Sequence, residues 1–226
     1  HPEWSRNAVI YEVNLRQYTE GGTVKEFEGQ LQRLKELGVD ILWFMPVHPI
    51  SQDGRKGELG SYYAVQDYTA FNPEFGTIDE FKDVVKKAHS LGMKVILDWV
   101  PNHTGRDNRW VTEHPDWYVK DAAGNIVSPS GWSDVAQLNF ANADMRAAMK
   151  DAMLFWVEQL GIDGYRCDYA DGVPHDFWSD VITALRAKNS DMIMLAETAN
   201  PDYYADGFDM IYDWNSSTTI SAAFNG

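Results

Sequence analysis

A TIM-type (β/α)8 barrel, represented by about six of its βα units and carrying an insertion after strand 3, is the fold this sequence predicts. Three observations predict it. Six apolar or β-branched runs of strand length alternate with stretches of helical period. Two of the intervening stretches open on a capping-box pattern and close on glycine. The alternation is broken once, by about forty residues between Val100 and Asn142 that are rich in Pro, Asn, Asp, Gly and Trp, a length that in a folded domain usually carries function.

In chain order, the first run is Val9 to Leu15. Thr23, with Glu26 three residues on, caps a crossover helix whose Phe27, Leu31, Leu34 and Leu37 recur at helical spacing until Gly38 stops it. Val39 to Pro46 is the second run. Thr77 with Glu80 opens the next helix, Phe81, Val84, Val85 and Ala88 give it an apolar face, and Gly92 closes it. Met93 to Val100 is the third run, the irregular stretch follows, and Asn142 to Leu160 is an amphipathic helix around Met149, Met153, Phe155 and Trp156, ended by Gly161. Gly164 to Tyr169, a helix over Asp176 to Ala187, Met192 to Thr198 and Phe208 to Tyr212 complete the series. The expected division is residues 1–101 for strands 1–3, 102–140 for the insertion and 141–226 for strands 4–6. An open, doubly wound sheet is the rival, but no Gly-x-Gly-x-x-Gly follows the first strand.

Composition narrows the chemistry. With 44% hydrophobic residues among 226 the chain can bury a sizeable core. Its 34 Asp+Glu against 19 Lys+Arg give a net charge of −15, which repels phosphate backbones and anionic lipid, so nucleic acid is not an expected partner. No apolar run approaches the roughly 20 residues of a membrane span. The single Cys167 allows no intrachain disulfide. Aromatic residues reach 13%, beyond what an ordinary core asks, and spare rings can face flat ligands such as sugars. The opening His1-Pro2-Glu3-Trp4 has no Met and no basic-then-apolar leader, as in a processed or trimmed product; the compartment is open, with an extracytoplasmic one favoured.

Active groups of a barrel sit at the carboxyl ends of its strands. Those ends here carry Asn14 and Arg16; His48; Asp98, Asn102 and His103; Arg166 and Asp168; Glu197; and Asp213. Asp168 and Glu197 are 29 residues apart, one βα unit, so they should face each other from adjacent strands. Two carboxylates flanking a bond are what glycoside hydrolysis requires. Arg166 and Asp168 are two apart and share a strand face, so the guanidinium is expected to favour an ionised Asp168, as suits a nucleophile. Glu197 follows the apolar run Met192 to Ala196, and burial there is expected to raise its carboxyl pKa, as suits a general acid. Taken singly each of these is more often structural; their joint register is what argues for chemistry. His48, His89, His114 and His175 have no partners at metal-ligand spacing and read as structural.

These residues are also those by which the chain resembles the alpha-amylase family, glycoside hydrolase family 13. Asp98-Trp99-Val100-Pro101-Asn102-His103 is similar to its first conserved region, Gly161 to Asp168 to its second, and Ala196-Glu197-Thr198 to its third, in the same order. Gly60 to Tyr68, Asn72 to Thr77 and Gln137-Leu138-Asn139 resemble its intervening segments. The resemblance implies a retaining α-glucan hydrolase in which Asp168 is the nucleophile, Glu197 the acid/base and Arg166 the group that holds the nucleophile ionised. It implies further that Asp98 buttresses Arg166, His103 hydrogen-bonds the sugar and Tyr63 stacks on its ring. The insertion would be the family's domain B. Its Trp110, Trp117 and Trp132 are candidates for further stacking, core packing being the alternative.

No cofactor is required on this reading. Calcium is implied only through Asn102, the one ligand position of the family type found in the sequence. The family's fourth region, an Asn/His-His-Asp segment after the seventh strand, does not occur in the 226 residues. The expectation is therefore a partial catalytic domain, with little turnover alone and with the remaining C-terminal part of the same enzyme as a partner. A non-catalytic relative that binds glucan or a protein is the second reading; Asp168 and Glu197 in register speak against it.

Overall fold

Short β-branched and aliphatic runs become strands here because a parallel sheet buries both of its faces. In the computed structural model, which describes residues 1–225, the chain starts with β1 (Ile10–Val13), passes through α1 (Leu15–Tyr18), α2 (Val24–Glu28) and α3 (Leu31–Leu37), and returns as β2 (Ile41–Phe44). The crossover predicted as one helix is two, interrupted at Gly29 and Gln30. Thr23 still caps it, accepting from Glu26 N–H, and Gly38 still ends it, at φ 95°. Next come α4 (Ile78–Ser90), which opens on the predicted Thr77/Glu80 capping box, and β3 (Lys94–Trp99). The insertion holds β4 (His103–Gly105), α5 (Arg109–Glu113) and β5 (Val135–Gln137). After it follow α6 (Ala143–Leu160), β6 (Gly164–Cys167), α7 (His175–Lys188), β7 (Ile193–Ala196), β8 (Met210–Ile211) and α8 (Trp214–Asn225).

Six strands form one parallel sheet in the order β1-β2-β3-β6-β7-β8, while β4 and β5 make a separate antiparallel pair. Each strand lies beside its predecessor with no reversal of order. A doubly wound sheet must reverse at a switch point, so the rival topology falls. What stands is an arc of a (β/α)8 barrel, with β1 and β8 at its edges among the described residues.

Alternation along the strands sorts the core into two layers. Ile41, Ile96 and Ile193 lie wholly buried in an inner cluster with Trp4, Ile10, Trp43 and Met210 against them. Leu42, Phe44, Val95, Leu97, Tyr165 and Met194 belong to the larger layer shared with the helices. At Gly164 a Cβ would stand 1.8 Å from Ile193 O, so glycine is what lets β6 and β7 approach. Most of the aromatic surplus goes into packing: Tyr18, Phe27, Phe44, Phe81 and Phe71 form a relay of ring contacts at 4.9 to 5.2 Å between centroids. Each such ring contributes about 1.5–3 kcal/mol by leaving water. Among the described residues no helix is long and apolar enough to cross a membrane.

Candidate active site

Strand register brings the charged residues together. β3 and β6 pair Asp98 with Arg166, and β6 and β7 pair Arg166 with Leu195. One step beyond the strand ends the ladder continues, with Asp168 N–H donating to Trp99 O at 2.8 Å and Glu197 N–H to Cys167 O at 3.0 Å. Arg166 then gathers three carboxylates. Its Nη1 donates to Asp98 Oδ1 at 2.9 Å and Asp168 Oδ1 at 3.0 Å, and its Nη2 lies 3.0 Å from Glu197 Oε1. Nε donates to Tyr212 OH at 3.1 Å, and the guanidinium lies over the Trp43 ring at 5.1 Å.

One cation against three carboxylates leaves excess negative charge in a buried place, and the proton affinities follow. Burial pushes the Asp98 carboxyl up to about 7, although Arg166 pulls it back. At Asp168 burial again outweighs Arg166, and the charge and hydrogen bond of Glu197 push the same way, so its pKa is raised. Arg166 does pull towards the ionised form, in the expected direction, but burial outweighs it. Arg166 itself stays protonated: burial opposes its charge, but Asp98, Tyr212 and Asp168 outweigh burial. β7 ends at Ala196, so the Glu197 side chain leans out of the apolar run, 28% exposed, with Oε2 accepting from Tyr169 N–H at 2.8 Å.

Above this centre opens a cleft of about 590 Å³, a size suited to a small ligand. Asp168 and Glu197 line it together with Tyr63, His103, Trp132 and Tyr169. Tyr63 OH donates to Asp98 Oδ2 at 3.1 Å. His103 is buried, and burial lowers its pKa to about 4, so the ring is neutral at pH 7. Asn102 Nδ2 donates to its Nδ1 at 3.1 Å, which leaves Nε2–H to donate to Tyr63 O at 3.1 Å. Both ring nitrogens are thus engaged within the protein.

Of the three insertion tryptophans, Trp110 and Trp117 are 8% exposed and pack on one another, whereas Trp132 is 37% exposed and lines the cleft. Trp132 stands edge-on to Tyr169 at 5.7 Å and to His103 at 5.6 Å. Tyr169 is held in the left-handed region at φ 42°, rare for a non-glycine residue, and that turn aims its N–H at Glu197. Other strand-end residues lie apart from the centre. Asn14 accepts from Tyr62 OH, Arg16 pairs with Glu74, Asp213 accepts from Ser216, and His48 is buried in a separate aromatic box. Sequence reasoning missed Trp43, whose Nε1 donates to Asp98 Oδ2 at 3.1 Å, and Tyr212. Two-residue spacing from Ile41 and Met210 was the signal that could have placed both inside the barrel.

The calcium implied at Asn102 does not fit the residues present. Both Asn102 O and Asn102 Oδ1 accept from Gln137 Nε2, at 2.9 and 3.3 Å, so a hydrogen-bond donor already stands at that position. Among the described residues no group of three or more His, Cys, Asp or Glu side chains is arranged so as to hold a metal ion.

Comparison with known proteins agrees with the fold. The family described as alpha amylase, catalytic domain, matches residues 10–135 and 115–208. The crystal structure of an alpha-amylase from Lactobacillus plantarum superposes with a TM-score of 0.91 at 40% identity, over 95% of this chain and 55% of that one. A noncanonic maltogenic alpha-amylase, AmyB, from Thermotoga neapolitana gives 0.90 at 39%, over 95% and 51%. Alpha-amylase 3 of Dictyoglomus thermophilum is 30% identical over 88% of this chain and 45% of its own length. The chain thus spans about half the length of these relatives.

Proposed function

Because the chain belongs to the alpha-amylase catalytic-domain family, we propose that it is the strand 1–6 portion of an enzyme that hydrolyses α-glucans with retention of configuration. Asp168 attacks the anomeric carbon. Glu197 first protonates the leaving oxygen and then, as the base, activates the water that releases the sugar. The observation that carries this reading is the sharing of Arg166. Two carboxyls from adjacent strands hang on the two terminal nitrogens of one guanidinium, 3.0 Å from each. Such closeness suits double displacement, for which the two groups stand about 5 Å apart and leave no room for an intervening water.

Neutral oligosaccharide is the substrate class the cleft supports. Asp134, Asp168, Asp171 and Glu197 line it against Lys56, which itself pairs with Asp134 at 3.3 Å. Tyr63 and Trp132 offer ring faces to a sugar, and His103 and Asp98 hold Tyr63 in place. Incubation with a 2-fluoro glucosyl substrate and peptide mass analysis is expected to show a glycosyl adduct on Asp168, absent from Asp168→Asn; an adduct on another residue overturns the assignment. For the 226-residue chain by itself we expect little turnover of maltodextrin, since β1 and β8 leave the described sheet open at two edges. Robust turnover that Asp168→Asn abolishes would overturn that expectation while supporting the first.

A further inference from the structure

At the seam between barrel and insertion, three oxygen atoms converge on one nitrogen. Gln137 Nε2 lies 2.9 Å from Asn102 O, 3.2 Å from Leu138 O and 3.3 Å from Asn102 Oδ1. A side-chain amide has two hydrogens on its nitrogen, so three acceptors share two donors. The opposite amide orientation would set Oε1 against three oxygens with no hydrogen between them, so chemistry fixes which end faces the seam. Carbonyl and amide oxygens gathered about one point are otherwise the surroundings of a hard cation, although calcium would draw them in to about 2.3–2.6 Å. The distances here are those of hydrogen bonds.

We propose that Gln137 is a built-in neutral replacement for a metal ion, and that its amide makes the seating of the insertion on the barrel independent of calcium. The seam matters to the cleft on both sides. β4 and β5 pair His103 with Gln137, and Asn102 Nδ2 sets the proton position of His103. Gly172 packs so closely that a Cβ there would stand 2.4 Å from Asn102 Oδ1, which ties the seam to the turn carrying Tyr169. Asn102 is buried, so a gap left at this point would expose its oxygens to nothing better than each other. The inference stands apart from the catalytic reading and does not require it.

Thermal unfolding of the full chain in EGTA and in millimolar calcium tests it. The wild-type midpoints are expected to agree within about 1 °C. Gln137→Glu keeps the side-chain shape but turns the donor into a fourth oxygen bearing charge. In EGTA its midpoint should fall by roughly 4 to 8 °C; calcium should restore it, with a binding isotherm that the wild type lacks. Gln137→Met, which offers no donor and no ligand oxygen, should lose stability with or without calcium. A fall of several degrees for the wild type in EGTA overturns the proposal, and this arm decides by itself if the glutamate variant does not fold. Full stability of Gln137→Glu in EGTA, or its indifference to calcium, also overturns it.

Discussion

Asp98 and Trp99 are neighbours on β3, and strand alternation sends them into two buried polar regions of opposite design. Asp98 enters the Arg166 centre, where Oδ1 accepts from Arg166 and Oδ2 from both Trp43 and Tyr63. Trp99 enters a box in which the His48 ring meets Trp99 and Trp156 at 5.3 Å and Tyr68 at 6.0 Å. There His48 Nδ1 lies 3.3 Å from Ala70 O, and Nε2 finds no hydrogen-bond partner among the described residues. In the centre, donors on Asp98 oppose burial without cancelling it, and its carboxyl rises to about 7; in the box nothing charged opposes burial strongly enough, and the His48 pKa falls to about 4. Side by side, they show burial working against the charged form in both places, and fixed donors opposing it only in the centre.

Removing the shared cation should break the comparison most completely. Arg166→Met leaves Asp98, Asp168 and Glu197 without their common partner, and breaking a buried ion network from one side destabilises by about 3–5 kcal/mol. We expect a loss of that size in urea unfolding and, in the longer enzyme of which we propose the chain to be part, a fall in kcat/KM on maltodextrin of at least about 10³-fold. Arg166→Lys restores the charge but cannot reach three carboxylates from one nitrogen, so it should recover part of the stability and little of the rate. If Arg166→Met unfolds at the wild-type urea concentration, the centre is not held together by charge.

The next test separates the two regions by pH. A group whose folded pKa is raised contributes stability at low pH that is lost as pH rises; Asp98, moved from 3.8 to about 7, loses its contribution across that interval. A histidine whose folded pKa is lowered does the reverse. His48, moved from 6.5 to about 4, contributes stability above pH 6.5 that is lost as pH falls towards 4, because the unfolded chain takes up the proton first. The opposing slopes fall in one window. His48→Phe fills the box with a ring that cannot titrate, so relative to wild type it should gain about 2 kcal/mol between pH 7 and pH 5. Denaturant midpoints at the two pH values measure this; an unchanged difference would mean that His48 is not held neutral.

How much of this was legible in the sequence follows the same divide. The βα order, the N-cap at Thr23, the capping box at Thr77 and the register of Asp98, Arg166, Asp168 and Glu197 rest on local chemistry and strand alternation, and both are written in residue order. The proton affinities were not legible, since they depend first on how deeply each carboxyl is buried and then on the charges packed around it. Nor were the surroundings of Glu197, which turn on β7 ending one residue before it. His48 read as structural, but its box draws on β3, α6 and the segment after β2, contacts far apart in the chain. Trp132 could be told from Trp110 and Trp117 only by exposure, which no spacing within the insertion encodes.

The smallest expected effect sharpens the comparison by testing redundancy. Tyr63→Phe removes one of the two donors on Asp98 Oδ2 and leaves Trp43 Nε1 in place at 3.1 Å. With a partner remaining, the cost should be about 1 kcal/mol at pH 7 rather than that of a bare buried acceptor. The Tyr63 bond works to lower the Asp98 pKa, so without it the carboxyl should hold its proton to higher pH and the alkaline side of the stability profile should shift upward. The ring that would stack on sugar is unchanged, and kcat/KM of the longer enzyme should stay within about tenfold of wild type. A loss above about 3 kcal/mol would show that no donor in the centre can stand in for another. The Arg166 centre would then be as dependent on single contacts as the His48 box, and the contrast between them would reduce to charge alone.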